Sequence, residues 1–279
     1  MTDIEEPLYG GLENGRVVRV GDTVRRPAGA WTATTQALLK HLAGKGFPSP
    51  RPPGLEEKGG LDEKGREILS FLPGRAGLWP WPPALLAESG PRQVGRLLKA
   101  YHQAVADFAP PAPAVWRHGP QDLAPGQIVL HGDFGPYNLV WTGESPLATL
   151  SGVIDFELAR PGDALEDAAF AAIRVAHLRP DATAAKVGFA TIPDRQARLA
   201  AFAEGYGCAP GDLLANIIPT QEDELRRIIL WGGEGREPWA TFLRKGLAGE
   251  ARAELAWMED NLGGLAAGRP SLHPRPRTP

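Results

Sequence analysis

Polar and apolar residues alternate over Arg16–Val20 and, more briefly, over Asp22–Arg26, with Gly21-Asp22 between them as a tight-turn signal. That pattern predicts a β-hairpin. Leu38, Leu39 and Leu42 then fall at helical spacing, and Gly44–Gly46 closes the helix. A second extended segment, Gly65–Leu72, ends at Pro73-Gly74. From Pro91 the period changes: Val94, Leu97, Leu98, Tyr101, Val105 and Phe108 lie on one helical face, and Pro110–Pro113 stop that helix. Three short apolar strands follow, at Ile128–Leu130, Leu139–Trp141 and Val153-Ile154. Helical patterns return over Leu165–Leu178, Arg195–Tyr206, Gln221–Trp231 and Glu250–Leu262. The expected architecture is α+β and two-lobed: a small β-rich N-lobe (1–74), a larger, mainly helical C-lobe (75–262), a cleft between them, and a flexible Pro-rich tail (263–279).

Composition narrows the function. Of 279 residues, 43% are hydrophobic and 23% charged, ordinary values for a globular chain. The net charge of −3 and the lack of a Lys/Arg stripe give no reason to expect a nucleic acid partner. Cys208 is the single cysteine, so a disulfide framework and a CxxC metal site are excluded. The acidic start Met1–Pro7 has no apolar run behind it and does not read as a signal peptide, and no stretch approaches the ~20 apolar residues of a membrane span. The expectation is a soluble, cytoplasmic protein; the oligomeric state is not readable.

The chemistry is concentrated in 130–167. The segment reads Leu-His-Gly-Asp-Phe-Gly-Pro-Tyr-Asn-Leu-Val-Trp, then Gly-Val-Ile-Asp-Phe-Glu, then Pro-Gly-Asp-Ala-Leu-Glu-Asp. Asp133 follows a buried strand, Asn138 comes five residues later, and Asp155 ends the next apolar strand. Strand ends place side chains accurately at a rim. Asn138 and Asp155 supply two oxygen donors suited to Mg²⁺, which prefers few protein ligands plus phosphate oxygens. Asp133 is then left to accept a proton, which completes the parts needed for phosphoryl transfer.

His131-Gly132-Asp133 with Asn138, then Ile154-Asp155-Phe156-Glu157 and Gly162-Asp163 with Asp167, resembles the aminoglycoside phosphotransferase and choline kinase-like branch of the protein-kinase fold. The Asp133-to-Asn138 spacing equals that of the kinase catalytic loop. The resemblance implies Asp133 as catalytic base, Asn138 and Asp155 as metal ligands, and His131 and Asp167 as structural supports of the loop. It further implies ATP or GTP as co-substrate, with the base against the hinge backbone near Phe71, Leu72 and Gly74, Mg²⁺ as cofactor, and a small-molecule hydroxyl as acceptor.

The N-terminal part departs from this pattern. A kinase holds the α/β-phosphates with a lysine on its third strand, paired to a glutamate on the next helix. Here the strand Asp22–Arg26 has no lysine. Arg26, on the same strand face as Val24, is favoured over Arg25 as its replacement; two solvated arginines are the alternative. The helix around Thr32–Leu42 has Thr35 and Gln36 where the glutamate belongs, so the pair is absent or rebuilt. Gly10–Gly15 is glycine-rich without being GxGxxG.

Other residues carry weaker expectations. His102 is expected on the helix surface or at a lobe contact. Trp79 and Trp81 follow the hinge, and border the cleft or pack in the core. Glu157 assists metal or substrate, or bonds a turn. Glu222–Glu224 is expected at a helix start, where the dipole favours acids. Trp231, Trp239 and Trp257 are expected in helical core or groove wall. Two further readings stay open: a catalytically weak or inactive kinase-fold binding or immunity-type protein, and a hydrolase using Asp133 and Asp155.

Overall fold

The computed structural model describes residues 4–8, 16–53, 60–143 and 148–266. The expected hairpin belongs to a four-stranded antiparallel sheet in chain order, β1 (Glu6–Pro7), β2 (Val18–Val20), β3 (Thr23–Pro27) and β4 (Arg66–Ser70). Gly21, at φ 58°, makes the β2–β3 turn that a side chain would strain. Helix α1 (Thr32–Gly44) lies between β3 and β4 and buries Leu38, Leu39 and Leu42 completely. The β3–β4 register sets Val24 opposite Leu69 and Arg26 opposite Glu67. The Gly10–Gly15 loop lies outside the described residues, as does the tail beyond Ala266.

Three strands follow as β5 (Arg75–Ala76), β7 (Leu139–Thr142) and β8 (Thr149–Val153), which form one sheet, while β6 (Ile128–Leu130) pairs with β9 (Arg160–Gly162) as a two-stranded ribbon. Helices α2 (Pro83–Leu86) and α3 (Gly90–Val105) precede β6; α4 (Ala164–Val175), α5 (Ala184–Val187), α6 (Arg195–Tyr206), α7 (Pro210–Gly233), α8 (Trp239–Arg244) and α9 (Leu247–Ala266) follow β9. Among the described residues no helix is long and apolar enough to cross a membrane.

The chain forms two compact units. The first joins Met1–Leu78 to Leu97–Asp167; the second joins Trp79–Arg96 to Ala168–Pro279. In the first, Leu98, Tyr101, Val129, Leu130, Phe134, Leu139, Val153 and Phe156 are buried as a core. In the second, two helices cross at glycine. A Cβ on Gly95 would lie 2.4 Å from the Phe202 carbonyl, and one on Gly205 2.2 Å from that of Arg92, so only glycine allows this approach of α3 and α6. Arg198 is buried there, and its guanidinium donates to the carbonyls of Leu85, Leu86, Ala87 and Val175. It thereby satisfies helix-end carbonyls that lack an intrahelical partner.

Two expectations about this unit are corrected. α7 starts at Pro210, not near Gln221, and runs through Pro219. Glu222–Glu224 therefore sits in mid-helix, where the dipole argument does not apply, and both Glu224 carboxylate oxygens accept from Arg174 Nη2 at 2.8 Å. Trp81 is buried edge-on against His177 and Phe189, whereas Trp79 is 68% exposed. Trp239 is buried and meets Trp231 edge-on at 4.6 Å, and Trp257 lies under the Arg195 guanidinium.

Candidate active site

The loop between β6 and β7 carries Asp133 and Asn138, and its shape is fixed by hydrogen bonds to buried groups. Asp167, in the first turn of α4, accepts from the backbone N–H of His131 at 2.8 Å and of Gly132 at 3.1 Å, and pairs with His102 Nε2 at 3.3 Å. Burial pushes the Asp167 carboxyl upward, but His102, His131 and these donors outweigh it and hold it below the usual carboxylate range. His102 is thus not a surface residue; it is buried and braces Asp167. The helix dipole also favours a carboxylate in a first turn.

His131 is fully buried, and its two nitrogens have different partners. Nδ1 lies 3.3 Å from the Asp133 N–H and must accept, so Nε2 carries the proton and donates to the Ile154 carbonyl at 3.1 Å. This tautomer is neutral, in keeping with the lowering of the His131 pKa by burial. The ring packs against Phe156 at 4.6 Å and Phe134 at 5.4 Å. Between these anchors Gly132 turns at φ 77°, where a Cβ would lie 2.0 Å from the Leu158 carbonyl.

Asp133 and Asn138 are in contact. The Asn138 amide nitrogen donates to the Asp133 carbonyl at 2.9 Å and to Asp133 Oδ2 at 3.0 Å. Two acceptors can be met only by the NH₂ end, which leaves Asn138 Oδ1 as the amide's acceptor end. The Asn138 carbonyl accepts from Ile154 N–H at 2.9 Å, which brings the end of β8 beside the start of β7. Asp155 follows at once with φ 66°, a conformation that aspartate tolerates better than most side chains, and its carboxylate is 51% exposed.

Arg26 reaches this group from β3. It is 7% exposed; Nε donates to Glu67 Oε2 at 2.6 Å and Nη1 to Asp155 Oδ1 at 3.2 Å, with Glu157 at 3.6 Å. Burial alone would lower the Arg26 pKa, but Glu67, Glu157 and Asp155 raise it, so the guanidinium stays charged. The two-solvated-arginine alternative is corrected. Arg25 is also largely covered, 4.0 Å from Asp62. Arg26 pairs within the sheet with Glu67, directly across on β4, and not with α1, where Thr35 bonds the Trp31 carbonyl and Gln36 the Gly60 carbonyl. Glu157 pairs with Arg117, whose guanidinium stacks on Trp31 at 4.5 Å, and lies near Arg26 as well. Arg26 Nη2 and Glu67 Oε1 are buried without a hydrogen-bond partner.

At the segment proposed for the nucleotide base, Phe71 N–H donates to the Asp22 carbonyl at 2.8 Å and the ring lies under Arg19. Leu72 packs near Gly152, and Gly74, at φ 138°, lies against Val140 and Trp141, where a Cβ would approach within 2.5 Å. Glu67, Tyr137 and Arg117 escape a sequence reading. Glu67 left one trace, a lone acid inside the apolar strand Arg66–Ser70, but its partner depends on register.

Among the described residues no group of three or more His, Cys, Asp or Glu is placed to hold a metal ion. Asn138 and Asp155 form a smaller donor set, one amide oxygen and one exposed carboxylate. Around Asp155 the carboxylates of Asp155, Glu157 and Glu67 face the guanidinium of Arg26, and Glu157 that of Arg117 as well. Oxygen donors of this kind fit a hard divalent cation that draws its remaining ligands from phosphate and water.

The profile of the phosphotransferase enzyme family (APH) matches residues 112–207. A trifolitoxin immunity protein of Rhizobium leguminosarum bv. trifolii is 36% identical over 197 residues, covering 68% of this chain and 70% of that protein. An amicoumacin kinase solved with AMP-PNP, Ca²⁺ and Ami superposes with a TM-score of 0.58 at 12% identity, over 95% of this chain and 89% of that one. The GDP complex of aminoglycoside 2'-phosphotransferase-IIIa gives 0.53 at 14% identity, over 92% of each. The fold is accordingly α+β and protein-kinase-like, with a small antiparallel sheet in its N-terminal part and a larger helical part. With its loop motif, its sheet and its relatives in agreement, the chain belongs to the phosphotransferase enzyme family.

Proposed function

We propose that the protein transfers the γ-phosphoryl group of ATP or GTP to a hydroxyl of a small molecule. The observation that carries this is the Asp133–Asn138 contact, which engages the amide nitrogen and leaves the amide oxygen as an acceptor, while the Asn138 main-chain carbonyl accepts from the Ile154 N–H next to Asp155. Asp133 receives the proton of the acceptor hydroxyl as its oxygen bonds to the γ-phosphorus and the bond to the β–γ bridging oxygen breaks. His131 and Asp167 keep the loop in shape while this happens. Asn138 Oδ1 and Asp155 would hold Mg²⁺, which supplies neutralisation of phosphate charge. Arg26, positioned by Glu67, replaces the kinase lysine in gripping phosphate; arginine does so with a fork of donors where lysine is a point charge. Leu72 and Gly74 offer main-chain groups to the base, Phe71 N–H being engaged already.

A second reading, an immunity-type binding protein with little catalysis, draws on the identity with the trifolitoxin immunity protein. Thermal-shift measurements with ATP and GTP, with and without Mg²⁺, separate the two. Mg²⁺-dependent stabilisation together with loss of turnover in Asp133→Ala, nucleotide binding retained, supports the kinase. Indifference to both nucleotides in every condition sinks it and leaves the binding protein.

A further inference from the structure

The Tyr137 hydroxyl donates to Asp133 Oδ1 at 2.5 Å, while the side chain as a whole is 38% exposed. Gly135 makes room for this pose. A Cβ built there would lie 2.6 Å from Tyr137 Cζ and 2.9 Å from its hydroxyl oxygen, so a residue with a side chain at 135 would push the ring off the carboxylate. The other carboxylate oxygen, Oδ2, is taken by the Asn138 amide. A base oriented in this way receives a proton at Oδ1, and a hydroxyl already stands there. An acceptor's O–H and a phenol O–H make the same bond to a carboxylate, so the two compete for one position.

We propose that Tyr137 occupies the seat of the acceptor hydroxyl on Asp133 and gates the acceptor site. This rests on the reading of Asp133 as the base. With no acceptor bound, the phenol covers Oδ1 and keeps water from being activated there. An acceptor displaces the hydroxyl, donates its own O–H to Oδ1 and then yields that proton as its oxygen bonds to phosphorus; Tyr137 itself gains and loses no covalent bond. The displaced ring, exposed and hinged at its own χ angles, stands beside the bound acceptor. It selects for molecules that can both present a hydroxyl and lie against an aromatic face.

The test uses water as the only acceptor. Nucleoside diphosphate release from Mg²⁺·ATP and Mg²⁺·GTP is measured for the wild type, Tyr137→Phe and Tyr137→Ala, beside the nucleotide-induced shift in Tm. Freeing the carboxylate from a hydrogen bond to a charged acceptor should raise hydrolysis about tenfold in Tyr137→Phe, and at least as much in Tyr137→Ala, with the nucleotide shift unchanged. The rise should vanish in the double variant Asp133→Ala/Tyr137→Phe. A merely structural tyrosine would instead lower rate and Tm together. Unchanged or slower hydrolysis in both single variants, with nucleotide binding intact, overturns the gate and leaves the kinase reading standing; so does a rise that survives in the double variant. If no nucleotide stabilises the wild type, the kinase reading fails and the gate falls with it.

Discussion

Asp167 and His131 stand 36 residues apart in sequence, yet the carboxylate of one accepts the backbone N–H of the other at 2.8 Å. With the Gly132 N–H and His102 on the same side chain, a single buried acid ties α3, the loop and α4 together.

Asp167→Asn keeps the shape but loses the charge and one acceptor oxygen, and should cost about 2–3 kcal/mol at pH 7, read from urea unfolding. The folded pKa lies below the ordinary 3.8, so the stabilisation is fully present above that value and disappears as pH falls through the folded pKa. The gap between wild type and variant should close below about pH 4. A gap that persists unchanged at pH 3 would show that charge is not the cause.

Asp155→Asn is the informative substitution at the end of β8, because asparagine also tolerates φ 66° and the backbone should survive. Its Tm without ligand should stay within a few degrees of the wild type. Mg²⁺-dependent stabilisation by nucleotide should be lost. Retention of the full Mg²⁺ effect would remove Asp155 from the metal site.

Glu67→Ala removes the partner of Arg26 Nε at a buried site, while Asp155 and Glu157 still face the guanidinium, and should destabilise the protein by about 1–3 kcal/mol in denaturant unfolding. Replacing both residues, as in Arg26→Met/Glu67→Met, should recover much of that loss while abolishing the phosphate grip. An equal loss in the double variant would mean that packing, not the unpartnered Nε donor, governs the site.

His177 offers a second acid-sensitive point. Its ring is buried, Nε2 pairs with Thr183, and Nδ1 has no partner. Burial first, then Arg195, Arg179 and Arg198, push its pKa from 6.5 down to about 3. The unfolded chain therefore takes up a proton that the folded one refuses, and stability should fall as pH drops from 6.5 toward 3. His177→Asn, which tolerates the positive φ at that position, should show a flatter pH dependence; an identical slope would exclude His177 as its source.

Much of the first unit is legible in the sequence because its signals are local. Alternation gives β2 and β3, the Leu38–Leu42 spacing gives α1, and the loop motif reads in order. What stays hidden depends on contacts distant in the chain. Glu67 becomes the partner of Arg26 only through strand register, and His102 reads as a helix-surface or lobe-contact residue until α4 supplies Asp167. β5 and β9 are two and three residues long, too short for a period. Pro219 breaks the helical pattern by local rules, yet α7 continues past it, with Ile217, Thr220, Gln221 and Ile228 buried.

The bridge between Arg26 and Glu67 has a regulatory corollary. In protein kinases the lysine–glutamate bridge runs from the sheet to a movable helix, and shifting that helix turns the enzyme on or off. Here both ends lie on neighbouring strands of one hydrogen-bonded ladder, so the bridge persists as long as the sheet does. Displacing α1 has no leverage on it. The Arg26–Glu67 contact is thus set by strand register and does not depend on where α1 sits.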